Sequence, residues 1–315
     1  MDNAITARGL TKRFGDVLAL DHVDLDVATG TVVGLLGPNG AGKTTAVRIL
    51  TTILRSDEGE AHVLGVDVRK HPDVVRTTIG LAGQYAAVDD NLTGRENLRM
   101  MAKLTHLPAD LVRRRPDELL DRFGLVDAAD RPSRTYSGGM RRRLDLAAAL
   151  VHRPPVLFLD EPTTGLDPMG RTDLWAVIEE LVADGTTVLL TTQYLEEADR
   201  LADRIVVVDH GRVIEEGTTT ELKARLGETV LELTFADEAT AIKVRGLLHD
   251  FAPETDGTNT GVIAKLNRGA RSVMEILRLL DEQGIEPNHF YVREPSLDDV
   301  FLSLTGHTTN EKGAA

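Results

Sequence analysis

Hydrophobic and polar residues alternate near the start of the chain. Val23, Leu25 and Val27 are separated by Asp24 and Asp26. A period of two places the apolar side chains on one face, so it predicts a half-buried strand. We expect this strand to belong to an antiparallel β-rich region.

The pattern then changes to a continuous apolar run at residues 32–36, a glycine-rich turn and a segment with helical spacing of Val47, Ile49 and Leu50. This order predicts a buried strand, a loop and a helix. Apolar strands and intervening helix-like segments recur at residues 156–159, 171–182, 187–190, 195–201 and 205–208. The alternation predicts an α/β fold with a mostly parallel sheet covered by helices.

A different pattern interrupts this sheet. Helical spacing of Leu, Val and Ala recurs at residues 110–123 and 141–151, and no strong strand pattern appears between them. We therefore predict an inserted helical subdomain over about residues 85–151.

Strand-like alternation restarts at Val230, shortly after Gly227. We predict a first domain over residues 1–226 and a small C-terminal α/β domain over residues 227–306. Residues 307–315 lack periodicity, and we expect a disordered tail.

Composition narrows the possible functions of the chain. Its 315 residues are 42% hydrophobic and 27% charged, as in globular proteins of about two domains. The net charge of −14 disfavours nucleic acid as the main partner, because this field repels a phosphate backbone. The chain has no cysteine, which excludes disulfides, thiolate zinc sites and a cysteine nucleophile.

Membrane association is expected to be indirect. No apolar run approaches the ~20 residues that a membrane-spanning helix needs. The first residues show no secretory signal pattern. Any role at a membrane should therefore depend on a partner.

A phosphate-binding loop pattern at residues 37–44 lies between the predicted strand and the predicted helix. We predict that this loop and the residue after it contact the nucleotide; these residues are Gly37, Pro38, Asn39, Gly40, Ala41, Gly42, Lys43, Thr44 and Thr45. Glycines allow backbone N–H groups to turn towards phosphates, and the helix N-terminus adds its positive dipole end. Lys43 can reach the terminal phosphates, and the Thr44 hydroxyl can bind Mg²⁺. The alternative is an ordinary glycine turn, but the strand-to-helix context favours nucleotide binding.

Two acids, Asp160 and Glu161, follow the apolar strand at residues 156–159. Ligands of open α/β sheets gather at this end of the strands. Asp160 is suited to hold Mg²⁺, and Glu161 is suited to polarise an attacking water. A strand followed by an acidic loop is the simpler interpretation, but the phosphate-binding loop in the same chain favours catalysis.

Ser137, Gly138 and Gly139 precede a predicted helix upstream of these acids. A hydroxyl and free N–H groups at a helix N-terminus can bind phosphate oxygens, although such a sequence is also an ordinary helix cap. The segment resembles the Leu-Ser-Gly-Gly-Gln signature of ATP-binding cassette (ABC) proteins, with Tyr136 and Met140 at its first and last positions.

This resemblance covers about residues 4–220 and implies roles for four more side chains. Gln84 matches the glutamine loop, which contacts Mg²⁺ or the attacking water, and Phe14 matches the aromatic that stacks on adenine. Asp167 lies in a segment that resembles the loop crossing the dimer interface. Gln193 occupies the switch position, where the family usually has His, and glutamine can donate a hydrogen bond but cannot carry a proton.

The chain resembles more closely the daunorubicin/doxorubicin-resistance ATPase subunits of actinobacteria, on the evidence of residues 83–89, 136–146, 192–194 and 294–302. These subunits energise drug exporters with a separate permease. The resemblance implies a permease of the ABC-2 type, a peripheral location at the cytoplasmic face of the membrane and a C-terminal domain that belongs to the exporter. It also implies that Gln193 is normal for the subgroup.

We expect two copies to close head to tail around two MgATP, because phosphoryl transfer needs charge stabilisation on several sides of the γ-phosphate.

An exporter of a lipid or cell-surface glycan remains an alternative, since an ATPase subunit does not contain the transport pathway. A non-transport ABC ATPase is a further alternative, but the long coiled coil, zinc site, second cassette or basic face it would need is not visible. The charge run at residues 113–115 is expected to be solvated.

Overall fold

The structure, a computed structural model, describes residues 2–83, 88–226, 229–248, 255–257, 259–266, 270–293 and 296–305. Gln84 and the tail at residues 307–315 lie outside these ranges, so the predictions made for them stay predictions. The chain forms two compact units, Met1–Glu216 and Gly217–Ala315. We describe each unit separately.

The strands up to the end of the first unit are β1 (Asn3–Phe14), β2 (Val17–Ala28), β3 (Val32–Leu36), β4 (Glu58–Val63), β5 (Val66–Asp67), β6 (Ile79–Ala82), β7 (Val156–Asp160), β8 (Thr187–Thr192), β9 (Arg204–Asp209) and β10 (Arg212–Gly217). The helices are α1 (Lys43–Leu50), α2 (Pro72–Thr78), α3 (Gly94–Leu104), α4 (Ala109–Arg122), α5 (Gly138–Ala149), α6 (Pro168–Ala183) and α7 (Leu195–Leu201).

An antiparallel sheet with the strand order β2-β1-β4-β5 forms one layer of this unit. Val23, Leu25 and Val27 are buried, whereas Asp24 and Asp26 between them are exposed. The half-buried strand predicted from this alternation is confirmed.

A second sheet has the strand order β10-β9-β3-β8-β7-β6, and the pairs β3·β9, β3·β8, β8·β7 and β7·β6 are parallel. Every residue of β3, β7 and β8 is buried. Along β7, Leu157 and Leu159 belong to one core cluster while Val156 and Phe158 belong to the other, so both faces are covered. The predicted α/β fold with a parallel sheet is confirmed.

Helices α3, α4 and α5 lie between β6 and β7 in the chain, as the inserted helical subdomain requires. Helix α3 begins with a capping box, in which Thr93 and Glu96 each satisfy the other's backbone N–H. The expectation that residues 113–115 are all solvated is wrong for Arg115, whose side chain is only 12% exposed. Its guanidinium donates to the carbonyls of Leu150 and Val151, just beyond the C-terminal end of α5.

The second unit contains α8 (Thr219–Leu226), β11 (Thr229–Thr234), α9 (Glu238–Leu248), β12 (Thr255–Asp256), β13 (Gly261–Leu266), α10 (Ala270–Glu282), β14 (His289–Arg293) and α11 (Leu297–Thr305). Its antiparallel sheet has the order β12-β13-β11-β14 and shares a core with α9 and α10. This is the small α/β domain that the sequence predicts. The boundary, however, lies at Gly217 rather than near Gly227, because α8 is part of this unit and contacts α11.

Within the described ranges, no helix is both long enough and apolar enough to cross a membrane.

Candidate functional site

The ends of three adjacent parallel strands bring the predicted chemistry together. Leu36, the last residue of β3, pairs with Thr192 on β8, and Asp160, the last residue of β7, pairs with Thr191 on β8. Because these strands are parallel, their carboxyl ends lie at one edge of the sheet. Asp160 lies at this edge, and the segments that follow the strands carry the glycine-rich loop, Glu161 and Gln193.

Only glycine fits two positions of the loop. A Cβ atom at Gly37 would lie 2.1 Å from the carbonyl oxygen of Val208. Gly42 has a φ of 108°, and a Cβ there would lie 2.5 Å from the carbonyl oxygen of Ala19. At Gly37 and Gly42 the backbone therefore packs so closely against its neighbours that a side chain is excluded.

Lys43 is buried at the start of α1, with 4% of its surface exposed. Its ammonium donates to the carbonyls of Gly37 at 2.6 Å and Pro38 at 2.9 Å. Burial lowers the pKa of Lys43, and the nearby carboxylates of Glu161 and Asp160 act in the opposite direction. The lysine is thus a poorly solvated positive charge held directly against the loop.

Asp160 connects the acids to the loop. Its Oδ1 accepts hydrogen bonds from the Thr44 hydroxyl at 3.1 Å and from the Thr191 hydroxyl at 2.6 Å. The carboxylate is 5% exposed, so these donors replace water around its charge. Thr44 and Asp160 offer adjacent oxygen ligands of the type that Mg²⁺ prefers.

Glu161 has an unusual backbone conformation, with a φ of 50°. Its N–H donates to both the carbonyl and the hydroxyl oxygen of Thr191, each at 3.1 Å. The Thr164 hydroxyl donates to its Oε2 at 3.3 Å. Glu161 lines a cavity together with residues 39–45 of the loop and Ala19, so its carboxylate borders the space beside Lys43.

Ser137 is the N-cap of α5, and its hydroxyl accepts a hydrogen bond from the N–H of Met140 at 3.2 Å. Ser137 and Gly138 are exposed. Within the part of the chain that the structure describes, neither they nor Gly139 line the cavity at the loop. Gly138 instead lines a second cavity, which Glu161 also borders.

The remaining predicted residues lie in three separate places. Gln193 is half-buried directly after β8. Asp167 is the N-cap of α6, where its Oδ1 accepts from the N–H of Gly170 at 2.9 Å. Phe14 ends β1 with 49% of its surface exposed, and the Lys12 ammonium lies 5.5 Å from its ring centroid.

Sequence reasoning missed three side chains that organise this edge of the sheet. Thr191 forms hydrogen bonds with both acids. Its position close to Gln193 in the sequence was a signal that could have identified it. Arg171 lies with its guanidinium carbon 4.4 Å from the ring centroid of Tyr194, and its Nε donates to the carbonyl of Leu166 at 3.3 Å. Arg142 donates to the backbone around the acids, and the arginine run that contains it gave no sign of which member points inwards.

Comparison with known families matches two parts of the chain. Residues 20–164 match the ABC transporter family, and residues 217–305 match the family described as ATP-binding protein DrrA1-3-like, C-terminal domain. The first match contains the loop, the signature and both acids. The second corresponds to the second compact unit.

Curated relatives match almost the whole chain. The Daunorubicin resistance ATP-binding protein DrrA2 of Streptomyces coeruleorubidus is 52% identical over 99% of this chain and 98% of that protein. The Daunorubicin/doxorubicin resistance ATP-binding protein DrrA of Streptomyces peucetius is 51% identical over 98% of this chain and 94% of that protein. The Nod factor export ATP-binding protein I of Ralstonia nicotianae is 38% identical over 96% of this chain and 94% of that protein.

Solved structures match a large part of the chain. An ATP-binding subunit of an ABC transporter superposes with a TM-score of 0.66 and 28% identity, covering 71% of this chain and 93% of that one. A dimeric ATP-binding cassette in a post-hydrolysis state, bound to ADP and Pi, gives a TM-score of 0.63 and 26% identity, covering 68% of this chain and 98% of that one. The chain therefore belongs to the ATP-binding, ATP-hydrolysing subunits of ABC transporters, in the group that contains the daunorubicin and doxorubicin resistance ATP-binding proteins.

Proposed function

We propose that the chain hydrolyses MgATP to energise the efflux of a hydrophobic drug, such as an anthracycline, through a separate ABC-2 type permease. The observation that carries the ATPase role is the cluster of Lys43, Thr44, Asp160 and Glu161 at one edge of the parallel sheet. Sequence similarity to drug-resistance ATP-binding proteins over nearly the whole chain supports a drug as the class of cargo.

Nucleotide binding would use the loop and Lys43. The ammonium would exchange its contacts with the carbonyls of Gly37 and Pro38 for phosphate oxygens. Because Lys43 is buried, little water screens its charge, and its attraction to phosphate is stronger than at the surface. The exposed ring of Phe14 offers an apolar face on which adenine can stack.

Thr44 and Asp160 would hold the magnesium ion. The fit rests on the donor set, a hydroxyl and a carboxylate oxygen 3.1 Å apart. Among the described residues, no group of three or more His, Asp or Glu side chains could hold a metal ion by itself. This donor set suits magnesium, which proteins usually bind through one or two carboxylates together with the phosphate of the substrate. The bound ion would neutralise phosphate charge.

Glu161 would act as the base that polarises the attacking water. Its carboxylate borders the loop cavity and, among the described residues, accepts a hydrogen bond from the Thr164 hydroxyl, which leaves acceptor capacity for water. Gln193 would donate a hydrogen bond from its amide to the γ-phosphate and would not exchange a proton. We expect this substitution to tune hydrolysis rather than abolish it. Gln84 keeps its predicted role near the metal or the water, but it lies outside the described residues.

Two copies would form the complete site. Ser137 and Gly138 are exposed at the N-terminus of α5 and do not line the cavity of their own loop. The positive end of a helix and its free N–H groups favour phosphate. In a head-to-tail dimer, these groups and Gly139 would face the nucleotide of the other copy, with Asp167 near the interface. A similar cassette that is dimeric with ADP and Pi supports the formation of a dimer.

The permease would be a different protein. Transport needs a transmembrane pathway, which the permease would supply. The chain would act at the cytoplasmic face of the membrane, where ATP is available, and contact lipid only through the permease. Similarity to ATP-binding proteins of drug resistance supports such a partnership.

The cargo is tested by energy-dependent efflux of doxorubicin from cells that express the chain with the permease of its neighbouring reading frame. Glu161→Gln is the inactive variant. Glu180→Gln is the matched control, because Glu180 is 65% exposed and its surface ion pair with Arg122 contributes little. Faster efflux that Glu161→Gln abolishes and Glu180→Gln preserves would support the proposal.

A second candidate is the export of a lipid or cell-surface glycan, and the similarity to a Nod factor export ATP-binding protein supports a cargo other than a hydrophobic drug. It would be supported if cells with wild type and Glu161→Gln retain doxorubicin equally while only the wild-type protein hydrolyses ATP. The drug proposal would then be wrong, and the ATPase assignment would stand. Wild-type turnover by Glu161→Gln would instead refute the role of Glu161.

A further inference from the structure

Arg142, on helix α5, reaches across to the backbone that carries the two acids. Its side chain is 13% exposed. Its Nε donates to the carbonyl of Pro162 at 2.7 Å, and its Nη2 donates to the carbonyls of Asp160 and Glu161, each at 3.1 Å. Its Nη1 donates to the carbonyl of Gly83, which follows strand β6. One guanidinium thus binds two separate segments of the chain.

The backbone at Glu161 needs such support. Its φ of 50° is a left-handed conformation that L-residues avoid unless the surroundings enforce it. The following residue, Pro162, has no N–H and cannot contribute a donor to the turn. Thr191 accepts the N–H of Glu161 on one side, and Arg142 donates to its carbonyl on the other. Together these bonds fix the peptide planes on both sides of the Glu161 Cα atom.

We infer that Arg142 is a positioning residue for ATP hydrolysis, which holds the carbonyls of residues 160–162 and thereby aims the Glu161 carboxylate. This inference rests on the proposed role of Glu161 as the base. Helix α5 begins directly after Ser137, so the guanidinium also links the signature segment to the base of the same chain. A shift of α5 would move the hydrogen-bond donors that orient Glu161.

The surroundings of Arg142 keep its charge in place. The Asp145 carboxylate, 1% exposed, lies 3.6 Å from the guanidinium. Burial lowers the pKa of Arg142, while the carboxylates of Asp145, Glu197, Asp160 and Glu161 act to raise it. Lysine would preserve the charge, but a single ammonium cannot reproduce a planar fork that spans several carbonyls. Arg142→Lys therefore separates the geometry of the donors from the charge.

Arg115 is the matched control for a purely structural effect. Its side chain is 12% exposed, and it donates to the carbonyls of Leu150 and Val151 at 3.2 Å and 3.3 Å. Arg115→Lys thus disturbs another buried guanidinium that binds the backbone near the opposite end of α5. It has no contact with either acid in the hydrogen bonds that the structure describes.

The test measures kcat and KM for ATP hydrolysis by the full-length chain, its affinity for a fluorescent ATP analogue and its thermal unfolding. We expect Arg142→Lys to lower kcat at least about tenfold while KM and affinity change less than about twofold, since the defect lies in the reaction step. Arg115→Lys should lower the unfolding temperature but leave kcat within about twofold of wild type. In a Glu161→Gln background, Arg142→Lys should lower kcat no further.

A folded Arg142→Lys variant with kcat within about twofold of wild type would overturn the inference, as would equal losses in the Arg142 and Arg115 variants. If Arg142→Lys does not fold, Asp145→Asn replaces it, because it weakens the anchor of the guanidinium and leaves the fork intact. We expect a folded Asp145→Asn to lose kcat at unchanged KM, and wild-type kcat would refute the inference. Wild-type turnover by Glu161→Gln would refute the proposed role of Glu161 as the base. An inactive Glu161→Gln variant together with a fully active Arg142→Lys variant would refute only the positioning role of Arg142.

Discussion

Thr191 offers a direct test of how the end of strand β8 supports the two acids. Replacing it by valine removes the hydroxyl that donates to Asp160 at 2.6 Å and accepts from the N–H of Glu161 at 3.1 Å. Valine has a similar shape, so the packing of the fully buried residue should change little. The loss should therefore come from these hydrogen bonds.

The magnitude follows from the two partners. A hydrogen bond to a charged group contributes about 1.5–3 kcal/mol, and the Asp160 carboxylate is only 5% exposed, so water cannot easily replace the missing donor. The N–H of Glu161 keeps the Thr191 carbonyl, also at 3.1 Å, so this second loss should be at most about 0.5 kcal/mol. We expect Thr191→Val to lower the free energy of unfolding by about 1.5–3.5 kcal/mol. The less well-oriented Glu161 should also lower kcat by roughly tenfold.

Thr187→Val is the matched control, because Thr187 lies at the other end of β8 and is also buried. Its hydroxyl accepts from the backbone N–H of Gly30 at 2.9 Å, a neutral bond far from the acids. Thr187→Val should cost about 0.5–1.5 kcal/mol and leave kcat unchanged. Urea unfolding and steady-state ATP hydrolysis measure both quantities. Equal stability losses in the two variants, or wild-type kcat in Thr191→Val, would refute the reasoning.

Three further substitutions test other parts of the chain. Gly42→Ala should abolish binding of a fluorescent ATP analogue, because its Cβ would lie 2.5 Å from an opposing backbone carbonyl; wild-type affinity would contradict the steric argument. Burial raises the pKa of Asp299, but hydrogen bonds led by that from Arg293 outweigh it and hold the pKa at about 2, below the ordinary 3.8. The charged carboxylate therefore stabilises the fold fully at pH values above the ordinary pKa of 3.8, and this stabilisation is lost as the pH falls towards about 2. Between these two pH values, the unfolding temperature of Asp299→Asn should depend less on pH than that of the wild type. Arg171→Gln and Tyr194→Leu should show a coupling energy of about 0.5–2 kcal/mol in a double-mutant cycle of unfolding, and additive effects would argue against the cation–π contact.

The sequence predicted the parallel sheet well because its strands are continuous apolar runs. Residues of β3, β7 and β8 are buried on both faces, and few other local structures need such runs. Strand β6 escaped notice, because Ile79–Ala82 is short and contains Gly80. It is a strand only because β7 pairs with it, which is a tertiary effect that no local pattern encodes.

The boundary between the two units was also beyond local pattern. A single residue, Thr218, separates β10 from α8, so a sequence interpretation naturally assigns the helix to the preceding domain. The structure assigns α8 to the second unit because it contacts α11, far away in the chain. Such long-range packing decides the membership of a helix.

Most of the candidate site could be predicted because its motifs are local. The glycines, Lys43 and Thr44 follow one another, and the two acids end one strand. Thr191 and Arg142 are different, since their roles depend on which strand pairs with β7 and which side of α5 faces it. In the run of residues 141–143, Arg142 reaches the acid backbone, whereas Arg143 reaches the carbonyl of Phe123. Adjacent positions on a helix point in different directions, so the choice needs the orientation of the helix.

The distribution of charge explains why one chain supplies only part of the proposed site. Of the described residues that line the loop cavity, Lys43 is the one cationic side chain, and Glu161 contributes a negative charge to the same space. Arg142 adds no free donor towards this space in the contacts described, because its guanidinium serves backbone carbonyls. Phosphoryl transfer needs positive potential around the γ-phosphate, and a lysine with a metal ion leaves one side of that group to water. The exposed start of α5 at Ser137 supplies positive potential in the form of a helix N-terminus, and a second copy could bring it to that side. The proposed requirement for a dimer thus rests on a deficit of positive charge at the site of each chain.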